Sequence, residues 1–170
     1  MPMKTKDIAL GAVLTALALG LSVMENLIPV TAAIPLPGVK LGLANIVTLF
    51  ALYQLGSRPA LSILLARCLL ASLFAGNFSA LLYSLLGGVL AMLVMIGLKQ
   101  CRRLSVFGVS IGGAAAHNVG QIIAACITLG DTAVIGYLPV LLGVSLITGT
   151  LTGFIASLLF RAMKNVHLSH

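Results

Sequence analysis

The chain has 170 residues, 60% apolar and only 8% charged, with a mean hydropathy of +1.17. Soluble domains carry about 25% charged residues, so a water-soluble fold is excluded. The net charge is +7, but the ten basic residues stand one to three at a time between apolar stretches, which is a topology signal rather than a nucleic-acid surface. Lipid solvates apolar side chains but not backbone polar groups, and helices satisfy those within each segment. The expected fold is therefore an all-α integral membrane protein: a single domain over residues 1–170, built as a compact bundle of about six transmembrane helices with both termini cytoplasmic.

The first apolar run, at about 8–28, follows Lys4 and Lys6. It lacks a small-residue cleavage site and is followed by further spans, so it reads as a retained helix rather than a signal peptide. It aligns Ala12, Ala16 and Gly20 at four-residue spacing, a ridge that permits close helix approach in lipid. Next comes Pro29 to Lys40, PVTAAIPLPGVK, in which Pro29, Pro35, Pro37 and Gly38 forbid a continued helix. This stretch is either a lid or re-entrant loop over the outer mouth, where protein can bury non-helical backbone, or a stiff surface loop.

Further runs follow at about 41–56, 59–76, 78–98, 106–128 and 138–161. The first two of these are short for a hydrocarbon layer that needs about 20 helical residues, so they are tilted or packed mainly against protein. The fifth span carries Gly112, Ala116, Gly120 and Ala124, and the sixth Ser145, Gly149 and Gly153. These two ridges are expected to pack inside the bundle; that of the first helix either packs inside as well or meets another membrane protein.

Orientation follows from the basic residues. Lys4, Lys6, Arg58, Lys99, Arg102, Arg103, Arg161 and Lys164 all fall on one side of a six-span topology, whereas the other side carries Lys40 and Asp131. The positive-inside rule makes the basic side cytoplasmic.

Ionisable groups at membrane depth cost about 2.5 to 3.5 kcal/mol each on insertion scales and mark candidate sites. Arg67 falls in the middle of the third span, Glu25 and Asn26 near the outer end of the first, and Lys40 and Asn45 at the outer part of the second. Asn77 precedes the fourth span, and His117, Asn118 and Gln121 lie in the fifth, with His117 and Gln121 one turn apart on the same face. Together they are expected to line one cavity opening outward. Its cations outnumber the one carboxylate, Glu25, which suits an anionic or acceptor-rich ligand. The competing reading is an internal network in which Glu25 neutralises Arg67 or Lys40 and His117 is a hydrogen-bonded core residue.

The acids Asp7, Glu25 and Asp131 are too few and too dispersed for magnesium–diphosphate chemistry or paired-carboxylate catalysis, and no P-loop is present. His167 and His170 belong to the tail, so no metal site is expected, and Cys68, Cys101 and Cys126 read as small hydrophobes rather than a disulfide or metal framework. The chain is expected to be no enzyme and to need no cofactor.

The segments PLPGVKLGLANIVTLF (Pro35 to Phe50), GNFSALLYSLLGG (Gly76 to Gly88) and GGAAAHNVGQ (Gly112 to Gln121) resemble the bacterial family called Gx transporters, also labelled heptaprenyl diphosphate synthase component I. The architecture this implies is similar to that of the S components of energy-coupling factor transporters. In those terms the first external loop is a gate, Ala12 and Ala16 dock onto a transmembrane coupling subunit served by ATPases, and the ligand touches Lys40, Asn45, Arg67, Asn77, His117, Asn118 and Gln121. The family's association with quinone metabolism and flavin-based electron transfer implies an isoprenoid-, quinone- or flavin-related ligand.

Two functions are expected from these observations: a binding and transport subunit in the bacterial cytoplasmic membrane, or a non-catalytic accessory subunit of polyprenyl diphosphate or quinone synthesis that presents a lipid intermediate. A plain membrane anchor would leave the buried polar residues without a purpose.

Overall fold

The structure, a computed structural model, describes residues 5–25, 40, 42–101 and 103–167. Lys4, Asn26, residues 29–39, Arg102 and His170 lie outside them, and with them the expected gate. Six helices follow in order: α1 (Thr5–Glu25), α2 (Asn45–Gln54), α3 (Ser57–Ala75), α4 (Phe78–Lys99), α5 (Val106–Leu129) and α6 (Leu138–His167), the last entered through a 3-10 turn at Thr132–Tyr137. No strand occurs among the described residues.

Local chemistry sets the helix limits. Asn77 has extended backbone and its side chain accepts from Ser79 N at 2.9 Å, opening α4; Asp131 does the same with Ala133 N at 2.8 Å, opening the 3-10 turn. These are side-chain caps for N–H groups that lack an intrahelical partner. Gly130, at φ 66°, ends α5 by adopting the left-handed conformation and donating to Cys126 O at 3.0 Å.

Five of the helices are long and apolar enough to cross a membrane, so the chain is a multi-pass membrane protein. The expected second span, 41–56, is different. Its helix is only 10 residues long, about 15 Å against a hydrocarbon layer of about 30 Å. Every residue from Asn45 to Leu52 is buried, so α2 is a half-length helix enclosed by its neighbours rather than a lipid-facing span. It packs against α1, α3, α4 and α6.

Close packing follows the small residues. A Cβ on Gly120 of α5 would stand 2.5 Å from Leu86 O and 2.7 Å from Gly87 Cα of α4, and one on Gly149 of α6 would stand 2.6 Å from Ile111 Cα of α5. The ridges of α5 and α6 thus build the α4–α5–α6 contact from within. On α1, Leu14, Ala18, Ser22 and Glu25 are buried at helical spacing, whereas Ala12, Ala16 and Gly20 are exposed. Nothing lies within 4 Å of a Cβ placed on Gly11 or Gly20, so this ridge faces away from the bundle.

One end of the bundle is basic. Lys99 Nζ donates to Leu52 O at 2.7 Å and lies 4.8 Å from the centre of the Tyr53 ring. Phe160 of α6 stacks on Phe50 and meets Tyr53, with centroids 5.4 Å and 5.5 Å apart. The end of α2 therefore gathers the ends of α4 and α6, and with them Arg58 at the start of α3 and Arg161.

Candidate functional site

Arg67, Gly87 and His117 each lie near the middle of their helices, α3, α4 and α5, and the short α2 begins at the same level. Polar residues converge there, deep in the bundle. The ten-residue length of α2 brings its first residue, Asn45, level with the middles of α3, α4 and α5.

Arg67 is 4% exposed. Its Nη1 donates to Ser22 Oγ at 3.2 Å and its Nη2 to Asn45 Oδ1 at 3.2 Å, while its buried Nε has no partner. Both partners are neutral, so the guanidinium is hydrogen-bonded but its charge is not matched by them. Glu25, 3% exposed, instead accepts through Oε1 from the backbone N–H of Gly42 and from that of Leu43, the latter at 3.3 Å. The expected alternative of a direct Glu25–Arg67 or Glu25–Lys40 pair gives way to a carboxylate bound to the backbone at the entrance of α2.

Gln121, fully buried, forms a bridge when its amide oxygen faces the surrounding donors. It then accepts from His117 Nε2 at 3.1 Å and from Lys40 N at 2.9 Å, and donates to Lys40 O at 3.2 Å. A donating Nε2 leaves Nδ1 of a neutral His117 as an acceptor, and this buried atom has no partner. Lys40 lies outside the spans, and burial holds its ammonium below the ordinary lysine range; Arg67 acts in the same direction and Glu25 against it.

Gly42 joins the two halves. At φ +81° it occupies a conformation that favours glycine, and a Cβ there would stand 2.9 Å from Asn45 Nδ2 and 3.3 Å from His117 Cδ2. Gly87 makes room in the same way, since a Cβ on it would stand 2.8 Å from His117 Nδ1. Beside Gly42 and Asn45 a cavity of about 10 Å³ reaches Ser110 and Thr152, and Ser110 Oγ is another buried atom without a partner. A void of that size holds one water at most.

Six expected residues thus meet: Glu25, Lys40, Asn45, Arg67, His117 and Gln121. Two do not belong to this network. Asn77 is exposed and spends its side chain capping α4. Asn118 is buried, but its Nδ2 donates to Leu141 O at 2.7 Å and ties α5 to α6; one residue along a helix turns a side chain by about 100°, away from the His117 face. Ser22, Gly42 and Gly87 complete the cluster without having been singled out from the sequence. Ser22 was findable, three residues before Glu25 on the same face; Gly42 and Gly87 carry no side chain to signal a role.

The arrangement leaves one guanidinium nitrogen, Arg67 Nε, and one imidazole nitrogen, His117 Nδ1, without a partner. Among the described residues, no three of His, Cys, Asp and Glu gather as a metal would require. A single carboxylate, that of Glu25, belongs to the cluster, and it is already engaged by backbone N–H groups.

No curated protein and no solved structure matches the chain. A family model does, over residues 14–159, a stretch that includes α2 to α5 whole, most of α6, the second half of α1 and the whole polar cluster. The chain belongs to the family described as heptaprenyl diphosphate synthase component I.

Proposed function

We propose that this protein is the membrane-embedded ligand-binding subunit of a complex, organised like the S components of energy-coupling factor transporters. It takes the anionic group of a small isoprenoid-, quinone- or flavin-related molecule against Arg67, with Lys40, Asn45, His117 and Gln121 around it. The observation that carries this reading is the state of Arg67, which is almost fully buried, bonded only to neutral groups and left with a free Nε. A buried guanidinium that has no direct carboxylate partner and an idle donor is costly, and an oxyanion supplied by a ligand pairs with it directly through the remaining donor.

The chain carries no nucleotide-binding motif, and in this reading the ligand moves either with energy from a partner ATPase module or by facilitated passage. The outward ridge of α1, Ala12 and Ala16 with Gly20, supports a docking face for a coupling membrane subunit with its ATPases, because small residues let a second helix approach closely in lipid. The basic end faces the cytoplasm in this reading, placing both termini inside the bacterial cytoplasmic membrane.

A second reading is favoured by the family's description, which names a component of a synthase. In it the chain is a non-catalytic accessory subunit of polyprenyl diphosphate or quinone synthesis, presenting or sequestering a lipid intermediate.

Native mass spectrometry of gently solubilised protein separates the two. A co-purified small water-soluble molecule, lost in Arg67→Ala, supports the first. A bound prenyl lipid together with a soluble synthase subunit supports the second. Equal ligand occupancy in wild type and Arg67→Ala rejects the Arg67 site in either form.

A further inference from the structure

We propose that Glu25 is a built-in competitor of the ligand: its carboxylate occupies the backbone N–H groups of Gly42 and Leu43 at the entrance of α2, and an incoming oxyanion exchanges for it. This inference rests on the anionic-ligand reading above and adds the step by which the site is vacated.

Glu25 arrives from another helix to bind the two backbone N–H groups just before the Ala44 N-cap of α2, whereas the first N–H groups of the helix itself, those of Asn45 and Ile46, bond to Gly42 O and Leu43 O. The first turn of α2 has no acidic residue, and Ala44 at its N-cap provides no side-chain acceptor. The helix dipole makes such an end attractive to an anion, and this end lies in the middle of the bundle. Glu25 supplies the anion through Oε1. A second observation points to a ligand: Arg67, 4% exposed and directed at Asn45 in the same helix turn, keeps Nε without a partner.

Charge then decides between coexistence and exchange. Lys40 and Arg67 are the cations that act on the Glu25 carboxylate. A ligand oxyanion bound to Arg67 beside an ionised Glu25 would place two like charges close together in low dielectric, where they repel strongly. Exchange avoids this. The ligand takes the Gly42 and Leu43 N–H groups and the Arg67 donors, and Glu25 is released toward Lys40. No covalent step is involved.

Carboxylate and phosphate share this oxyanion chemistry, so succinate and inorganic pyrophosphate serve as the two probes. Glu25→Gln keeps the shape and an acceptor oxygen for Gly42 and Leu43 while removing the charge. Calorimetric titration of the full chain in detergent should show whichever probe binds doing so about tenfold tighter or more in Glu25→Gln. Binding to wild type with equal or weaker affinity in the variant overturns the inference and leaves the anionic-ligand reading standing. Binding of neither probe to either protein overturns that reading and the inference with it. A second measurement needs no variant. Glu25 is the only glutamate in the chain, so ¹³C-glutamate labelling isolates its carboxylate stretch in the infrared. That band should shift when a bound probe saturates the protein, and an unmoved band overturns the exchange.

Discussion

Arg67 Nη2 donates to Asn45 Oδ1 across 3.2 Å, joining the middle of α3 to the first residue of α2. This bond fixes the first turn of the short helix against the buried Arg67 guanidinium, and the polar cluster is arranged around it.

Arg67→Ala should lower ligand affinity at least about a hundredfold, the loss of a charge-assisted contact of roughly 3 kcal/mol. Arg67→Lys should fall between it and wild type, because an ammonium cannot satisfy Ser22, Asn45 and a ligand with the geometry of a planar guanidinium. Isothermal titration with the co-purified ligand, alongside gel filtration to confirm a folded bundle, measures this; undiminished affinity in Arg67→Ala would remove the site.

Three glycine substitutions should separate three environments. Gly120→Ala drives a Cβ into the Leu86 and Gly87 backbone and should destabilise by about 1–3 kcal/mol, since rigid main chain must move. Gly112→Ala meets chiefly the far end of the Leu98 side chain and should cost less. Gly20→Ala, with nothing within 4 Å, should leave thermal stability of the isolated subunit unchanged. Melting temperatures in one detergent give the order, and a Gly120→Ala protein as stable as Gly20→Ala would contradict the packing described.

Ala16→Leu should leave the subunit folded but weaken its association with a coupling membrane subunit, because the added side chain stands on an outward ridge whose use is close approach. Affinity co-purification from membranes containing both proteins is the measurement. Undisturbed co-purification would move the docking face elsewhere.

Asn118→Leu and Asn77→Ala should reduce stability without changing ligand affinity. The first removes the 2.7 Å bond to Leu141 O and leaves that carbonyl without this donor, a cost of about 1–3 kcal/mol. The second removes the cap of α4 at about 0.5–2 kcal/mol. A marked affinity loss in either folded variant would return that residue to the binding site.

The sequence alone determined the class of fold and much of its internal packing. Long apolar runs with few charges admit only lipid-embedded helices, since backbone polar groups must be satisfied within each segment. Small residues at four-residue spacing foretold which faces of α5 and α6 would meet their neighbours, whereas only the packed bundle showed that the ridge on α1 meets none. Rare buried polar residues stood out for the same energetic reason, and six of those named converge. The tertiary structure decided what periodicity cannot carry. The run at 41–56 has span-like hydropathy, but its helix covers only Asn45–Gln54, which brings a helix N-terminus and the whole cluster level with the middles of α3, α4 and α5. The choice of partners was also long-range: Glu25 binds backbone N–H groups rather than a cation, Asn118 turns to Leu141, and Gly42 and Gly87 matter for the space they leave. Composition records which groups must be satisfied in lipid, whereas only the packed bundle determines which group satisfies which.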